Sequence, residues 1–205
     1  MFFGIDTTFA LLAIAQGAEA NSAEFHQQLD RTNYAAIEAA WTAVAEAGID
    51  LDTVKTLAVI DFTKPSYLNR LEIHRSDRCR PERFLCAHGK NSGGLFAEDF
   101  SNRVGSYQTS LGLYRVGESY GGDFGKSLKL DGLESGVNDQ ARRRKIVLHS
   151  AWYVSDVIIA QNLAEGLGPR IGRSQGCPAV PENQLEAVCQ QLQPGTLLFI
   201  FGENE

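Results

Sequence analysis

The sequence predicts a mainly β domain with a few helices, preceded by an N-terminal helical segment. From residue 54 onward, short runs rich in aliphatic residues alternate with turn-forming residues, a pattern typical of strands in a sheet. Between residues 21 and 47, apolar residues recur at helical spacing instead. The chain has 205 residues, of which 43% are hydrophobic and 21% are charged, so it is long enough to bury one core of ordinary composition.

The first twenty residues, 1–20, contain an apolar stretch at residues 9–15 and then the small-residue site Ala18-Glu19-Ala20. This order resembles a secretory signal, which implies a protein of the periplasm or cell envelope. However, Asp6 precedes the stretch and no Lys or Arg does, whereas a signal peptide normally starts with positive charge. A misassigned start, or an amphipathic helix that packs on the domain, explains the segment equally well. The stretch is too short to span a membrane.

Residues 21–50 form the predicted helical region. Apolar side chains recur there at the spacing of helix faces, namely at Phe25, Leu29, Ile37, Trp41 and Val44. Gly48 suits a helix C-terminal cap, because glycine adopts the left-handed conformation without strain. We expect Trp41 and its neighbours to pack in a core rather than to bind a ligand.

Residues 54–205 form the predicted main domain. Turn signals divide it into apolar runs that are short enough for strands. We expect strands at 54–62, 70–74, 83–87, 111–116, 127–130, 146–149 and 196–200, and helices at 154–164 and 181–192. Glycine and serine are dense between residues 89 and 136, which indicates long loops between the strands.

One cysteine and one histidine in this domain have the surroundings of a nucleophile and its base. Gly176 precedes Cys177 and Pro178 follows it, so the chain turns sharply and can present the thiol for reaction. A free thiol with a pKa near ~8.5 is mostly protonated at neutral pH and needs a base. His149 ends an apolar run that predicts a buried strand. A structural histidine and an inert buried cysteine fit the same pattern.

The residues around this pair resemble the L,D-transpeptidase catalytic domain, the YkuD-like fold, in which a histidine on a strand precedes a Ser/Thr-x-Gly-Cys turn. The resemblance covers residues 54–201 and is to the branch described as murein L,D-transpeptidase catalytic domain proteins. It implies a β-sandwich. The blocks that carry it beyond the cysteine turn are Ala87-His88-Gly89-Lys90, Phe100-Ser101-Asn102, Ser110-Leu111-Gly112, Gly132-Leu133, Asn138-Asp139 and Gly172-Arg173-Ser174.

Two positions depart from the commoner family pattern, which has His-Gly-Cys and then Arg or Asn two places after the cysteine. Gln175 stands in place of that histidine, and Ala179 stands in place of the polar residue. His149 is therefore the only base that the resemblance assigns. The residues expected at the substrate, from their places in the family blocks, are His88, Gly89, Arg173, Ser174 and Gln175.

The resemblance also implies a mechanism. His149 takes the proton of Cys177, and the thiolate attacks a peptide carbonyl to form a thioester. The implied substrate is a peptidoglycan stem tetrapeptide that loses its terminal D-Ala; an amine of another stem then completes a crosslink, or water completes a carboxypeptidase cycle. The N–H groups of Gly176 and Cys177 are the expected oxyanion donors, and the Ser150 carbonyl is expected to orient the imidazole. No organic cofactor and no metal is required.

Two other classes were weighed against this interpretation. A sortase-like peptidase also places a histidine before its cysteine, but sortases need an arginine after the nucleophile, and no Arg or Lys follows Cys177. A non-catalytic wall-binding module on the same fold remains an alternative. A thiol-reactive probe that failed to label Cys177 faster than Cys189 would favour that module.

The charge and the cysteines of the chain limit which ligands and partners it is expected to bind. The formal net charge of −6 argues against nucleic acid. The basic run at 142–145 is either a solvated turn or lies near the site and attracts the carboxylates of a peptide substrate. Cys79, Cys86 and His88 lack a fourth ligand nearby, so we expect no metal site, while a Cys79–Cys86 disulfide stays open. Cys189 fits a core position in a helix.

Overall fold

The structure, a computed structural model, describes residues 32–122 and 125–203. Eight strands lie in these ranges: β1 Thr56–Asp61, β2 Asn69–Arg75, β3 Glu82–Leu85, β4 Gly112–Gly122, β5 Gly125–Gly132, β6 Val147–Ser150, β7 Ala179–Val180 and β8 Leu197–Phe201. The helices are α1 Tyr34–Glu46, α2 Asp156–Ala164 and α3 Leu185–Gln191, with 3-10 turns at Leu51–Thr53 and Glu182–Gln184. The predicted mainly β fold with helices is confirmed. The signal-like segment 1–20 and the positions of Phe25 and Leu29 lie outside the described residues.

The strands form one sheet in the order β3-β2-β1-β8-β4-β5-β6-β7. Ala87, just after β3, forms an antiparallel bridge with Ala179 in β7. The Ala87 N–H donates to the Ala179 carbonyl at 2.7 Å, and the Ala179 N–H donates back at 3.3 Å. Because β3 and β7 are the two edges of the sheet, this bridge brings its edges together. The sandwich that the resemblance implies is thus built from one sheet that curls toward a barrel.

The inner face of the curled sheet holds the main core. All eight strands contribute hydrophobic side chains, and α3 covers one side of the cluster through Leu185, Val188 and Cys189. The largest fully buried members include Ile60, Leu71, Leu130 and Leu148, together with Tyr114. Burial of Leu, Ile or Phe side chains contributes about 1.5–3 kcal/mol each, so this cluster is the main source of the domain's stability.

Helix α1 packs against the outer face of the sheet. Its buried face consists of Ala36, Ala40 and Val44, which are small enough for the helix to lie close to the strands. Trp41 is partly buried in the same cluster, as expected of a packing residue. The strand residues that α1 covers are Leu57 and Val59 of β1, Leu113 of β4, and Leu197 and Phe199 of β8.

Both ends of α1 are capped. The Asn33 side chain accepts a hydrogen bond from the Ala35 N–H at 3.1 Å, which satisfies one of the unpaired donors of the first turn. At the other end Gly48 has φ +68°, so the predicted glycine cap is present. Residues from Asn33 onward form one compact unit that contains α1 and the sheet.

Several of the sequence blocks that carry the family resemblance serve the architecture. The Asn138 amide donates to the carbonyls of Leu111 and Leu113 at 2.9 and 3.0 Å, and its oxygen accepts from the Glu134 N–H at 2.9 Å. A Cβ on Gly132 would overlap the Asn138 carbonyl. Glycine at 132 and asparagine at 138 therefore fix the loop between β5 and β6, which leads to the basic run.

The cysteines are free thiols. Cys79 is exposed while Cys86 is buried, and Cys189 is buried in the core as expected. Within residues 32–122 and 125–203, no cluster of three or more His, Cys, Asp and Glu side chains is arranged to hold a metal ion. No helix in this part of the chain is long and apolar enough to cross a membrane.

Candidate active site

The cysteine turn is closed by the hydroxyl of Ser174. This hydroxyl accepts from the Gly176 N–H at 3.0 Å and donates to the Cys177 carbonyl at 2.6 Å. Gly176 has φ +118°, a conformation that a side chain at this position would strain. The sharp turn predicted from the glycine is present. Ser174 is itself buried, so it shapes the turn from beneath.

The segment that follows β3 supports this turn. The Ser174 N–H donates to the His88 carbonyl at 2.9 Å, and the Lys90 N–H donates to the Ser174 carbonyl at 2.8 Å. A Cβ on Gly89 would lie 2.5 Å from the Tyr107 carbonyl oxygen and 2.9 Å from the Gly176 Cα. Only glycine allows this approach, because no Cβ fits between the two backbones. Both residues were expected at the substrate. Gly89 supports the turn by this close backbone approach, and Ser174 supports it through its hydroxyl and its backbone.

Cys177 and His149 line the same cavity, of about 510 Å³. Three segments form its walls: the loop after β3, the basic run with β6, and the cysteine turn. The lining residues are Val104, Gly105, Tyr107, Arg143, Arg144, Lys145, Ile146, His149, Tyr153, Arg173, Ser174, Gln175 and Cys177. The structure therefore brings together the expected nucleophile and base with Arg173, Ser174 and Gln175, three of the expected substrate contacts.

Backbone contacts hold both the main chain and the ring of His149. Its strand β6 pairs in parallel with β7, opposite Ala179. Its Nδ1 lies 2.8 Å from the Ser150 carbonyl oxygen. A carbonyl only accepts, so Nδ1 carries the proton and the lone pair is on Nε2. Burial lowers the pKa of His149, and the bond to Ser150 opposes that shift, so the ring is a neutral base at pH 7.

The Cys177 thiol is half-buried, with its Sγ 3.7 Å from the Lys145 carbonyl oxygen. Burial raises the pKa of Cys177, while a backbone hydrogen bond at Val147 and the charge of Arg144 oppose that shift. The resting pair is therefore a thiol and a neutral imidazole at pH 7. Such a pair needs proton transfer during the attack rather than before it.

Arg144 is a site residue that the sequence analysis did not single out. Its guanidinium donates to the Ser101 carbonyl at 2.7 Å, to the Ser110 hydroxyl at 2.9 Å and to the Gln108 carbonyl. These bonds fix the loop at 101–110, which forms one wall of the cavity. The only sequence signal for Arg144 was the basic run at 142–145, and that run does not indicate which of its arginines faces the loop at 101–110.

His88 lies outside the cavity. It is fully buried, and its Nδ1 accepts a hydrogen bond from Arg70 at 3.0 Å. Arg70 also donates to the Cys86 carbonyl at 2.8 Å and lies over the Phe62 ring. Burial, followed by the charge of Arg70, lowers the pKa of His88 to about 3. His88 was expected at the substrate. It instead packs beneath the segment that supports the turn and does not line the cavity.

The oxyanion donors also differ from expectation. The Gly176 N–H is taken by Ser174, so it is not offered to the cavity. The Cys177 N–H forms no hydrogen bond with any described residue. Of the two expected oxyanion donors, it is therefore the one that remains. Ser150 acts through its backbone carbonyl, and its side chain is not part of the cavity lining.

The fold and site together define a class of protein: a curled, mainly β domain in which a thiol and an imidazole line one cavity. A family model described as the L,D-transpeptidase catalytic domain matches residues 28–201, and the chain belongs to this family. No curated protein matches the sequence.

Solved structures with a similar chain course include two L,D-transpeptidases. One is from Mycobacterium smegmatis, with 9% identity and a TM-score of 0.42, and the match covers 72% of this chain and 59% of that one. The other is from Stackebrandtia nassauensis, with 15% identity and a TM-score of 0.43, and covers 79% of this chain and 66% of that one. The chain thus spans less than two thirds of the length of both.

Proposed function

We propose that this protein is a cysteine-dependent L,D-transpeptidase that acts on peptidoglycan stem tetrapeptides through a thioester at Cys177. The observation that carries the proposal is that Cys177 and His149 line one cavity, with Nδ1 of the imidazole bound to the Ser150 carbonyl. That bond puts the basic lone pair on Nε2, the nitrogen that can take the thiol proton. Membership of the family supplies the class of reaction.

The chemistry follows from these groups. Nε2 of His149 takes the proton of Cys177 while the sulfur attacks the carbonyl carbon of the third residue, and the Cys177 N–H stabilises the oxyanion. Collapse of the tetrahedral intermediate breaks the peptide bond, and the imidazolium returns its proton to the amine of the departing D-Ala. An amine of a second stem then attacks the thioester, His149 takes its proton, and the thiol is restored with a new peptide bond.

The cavity has the size of a ligand-binding site. Its volume of about 510 Å³ can hold part of a stem peptide, and in the transpeptidase reaction an amine of a second stem resolves the acyl-enzyme. Hydrolysis by water, the carboxypeptidase reaction, is the alternative outcome of the same acyl-enzyme. We place the protein in the cell envelope, because that is where this substrate lies.

The test uses purified tetrapeptide muropeptides and mass spectrometry, with the wild-type protein and Cys177→Ala. We expect the wild type to form crosslinked dimers and a thioester at Cys177, and the variant to form neither. Tripeptides without dimers would reassign the protein as a carboxypeptidase. Muropeptides left equally unchanged by both proteins would overturn the enzymatic proposal for this substrate.

A further inference from the structure

The cavity around Cys177 is lined by cations and by no acid. Four basic residues are among its lining, namely Arg143, Arg144, Lys145 and Arg173, and none of the described lining residues is Asp or Glu. The whole chain, in contrast, has a formal net charge of −6. Positive charge is therefore concentrated in this concave site of an acidic protein.

Acidic residues neutralise the neighbouring cations but not these four. Arg142, the first residue of the basic run, forms ion pairs with Glu118 and Asp131. Lys129 also pairs with Glu118. The four cavity cations form no ion pair with any residue that the structure describes. The run is thus divided: its first arginine is neutralised outside the cavity, Arg144 binds the 101–110 loop, and Arg143 and Lys145 line the cavity without an ion pair to any described residue.

Arg173 is held in place without being neutralised. Its NH1 group donates to the carbonyl oxygens of Gly93 and Lys90 at 2.8 and 3.2 Å. These neutral acceptors fix the guanidinium at the cavity and leave its full charge. Arg144 is fixed in the same way by the 101–110 loop. Fixed guanidinium groups that lack a carboxylate partner are well suited to bind one, since the planar fork matches its two oxygens.

We propose that Arg143, Lys145 and Arg173 form a carboxylate subsite, which selects peptide acyl donors that carry a free carboxylate beside the bond to be broken. The inference rests on the proposed function for the identity of the peptide, whose terminal D-Ala carries such a carboxylate one residue from the scissile carbonyl. The cations and the thiol line the same cavity, so one peptide can reach both. Charge focused in a concave site also raises the local concentration of anions.

Alkylation of Cys177 tests the subsite without any peptide chemistry. Iodoacetate carries a carboxylate and iodoacetamide does not. In both reagents the same thiolate attacks carbon and iodide is released. We expect the ratio of their rates at Cys177 to exceed the ratio for N-acetylcysteine by about tenfold at low ionic strength, and to fall as salt is added. A change in the thiol pKa affects both reagents equally, so it cancels from the ratio.

Variants locate the effect. We expect Arg143→Gln and Arg173→Gln each to lower the ratio several-fold at Cys177, and Arg142→Gln, which removes the same charge from the neutralised end of the run, to leave it unchanged. Peptide mapping separates Cys177 from exposed Cys79, which lies between Arg78 and Arg80, so N-acetylcysteine is the reference thiol. A ratio equal to that of N-acetylcysteine, or an equal fall in all three variants, would overturn the subsite.

The peptide then separates the two proposals. We expect a tetrapeptide with a free terminal carboxylate to acylate Cys177 at least tenfold faster than its terminal amide, and Arg173→Gln to reduce that preference. Equal rates for acid and amide would overturn the subsite while the proposed function stands. If Cys177 shows the expected preference for iodoacetate but neither peptide acylates it, the anion site stands and the proposed function is overturned.

Discussion

The regions around His149 and His88 each place a buried histidine near an arginine, but the two imidazoles carry their protons on opposite nitrogens. At His149, Nδ1 donates to the Ser150 carbonyl, and the lone pair is on Nε2. At His88, Arg70 donates to Nδ1, so the proton is on Nε2. Arg144, the arginine of the first region, binds the 101–110 loop instead of its histidine.

The difference shows that burial alone does not make a base. Both rings are neutral, because burial lowers both pKa values. The lone pair of His88 is taken by a guanidinium in the interior, whereas His149 belongs to the lining of the cavity. The partner of Nδ1 therefore determines which histidine can serve chemistry and which serves packing.

The largest expected effect separates the two histidines directly. His149→Gln should lower the rate of Cys177 acylation by about 10²–10⁴-fold, the usual contribution of a general base. His88→Leu should instead lower the free energy of unfolding by about 1–3 kcal/mol, because Arg70 loses its buried acceptor. Single-turnover acylation and urea unfolding measure the two quantities. If the variants of His149 and His88 lost the same acylation rate per folded molecule, the distinction between a catalytic and a structural histidine would fail.

The second prediction concerns pH. Because burial raises the pKa of the Cys177 thiol, its thiolate forms at higher pH than that of a free thiol. The rate of iodoacetamide alkylation should rise about tenfold per pH unit from pH 6 and should not level off below ~8.5, the value of a free thiol. A plateau below pH 7 would mean a preformed thiolate and imidazolium pair, and the assignment of His149 as a neutral base would fail.

The third prediction compares the two arginines. Arg70→Met and Arg144→Met should each destabilise the domain by about 1–3 kcal/mol, because each leaves buried acceptors without a donor. Only Arg144→Met should move the alkylation profile of Cys177 to higher pH, since the charge of Arg144 lowers the pKa of that thiol. An equal pH shift in Arg70→Met would show that the two regions are not electrostatically separate.

The smallest effect is expected at Ser150. Its contribution to the site is the backbone carbonyl, so Ser150→Ala should change the acylation rate by no more than about twofold and the stability by less than about 0.5 kcal/mol. Steady-state rates and thermal unfolding provide the measurement. A loss comparable to that of His149→Gln would assign the hydroxyl a direct role in orienting the imidazole.

Much of the scaffold follows from local patterns. The aliphatic runs at 54–62, 70–74 and 196–200 became β1, β2 and β8, because residues of this kind in short runs fit a buried sheet. Strand β7 was not predicted. Its two residues, Ala179 and Val180, carry no periodicity, and they form a strand only because β6 pairs with them along one side.

The sequence predicted the reactive groups of the site but not the residues that hold the surrounding loops in place. The turn at Gly176 and Cys177 follows from local backbone preferences, and the turn was found at that position. Arg142 and Arg144 are alike in sequence, yet one meets carboxylates and the other the loop at 101–110. That division depends on which distant segments fold against each residue, and no local pattern records it. The same is true of Arg70 and His88.

The bridge between Ala87 and Ala179 has a consequence for the order of assembly. Ala179 pairs with Ala87 on one side and with His149 on the other, and the thiol lies two residues before it. Segments that are distant in the chain must therefore meet before sulfur and imidazole share a cavity, and contacts of this kind form slowly. The pairing of this thiol with this imidazole is thus a property of the closed sheet. A chain whose edges have not yet met contains both residues but not the site.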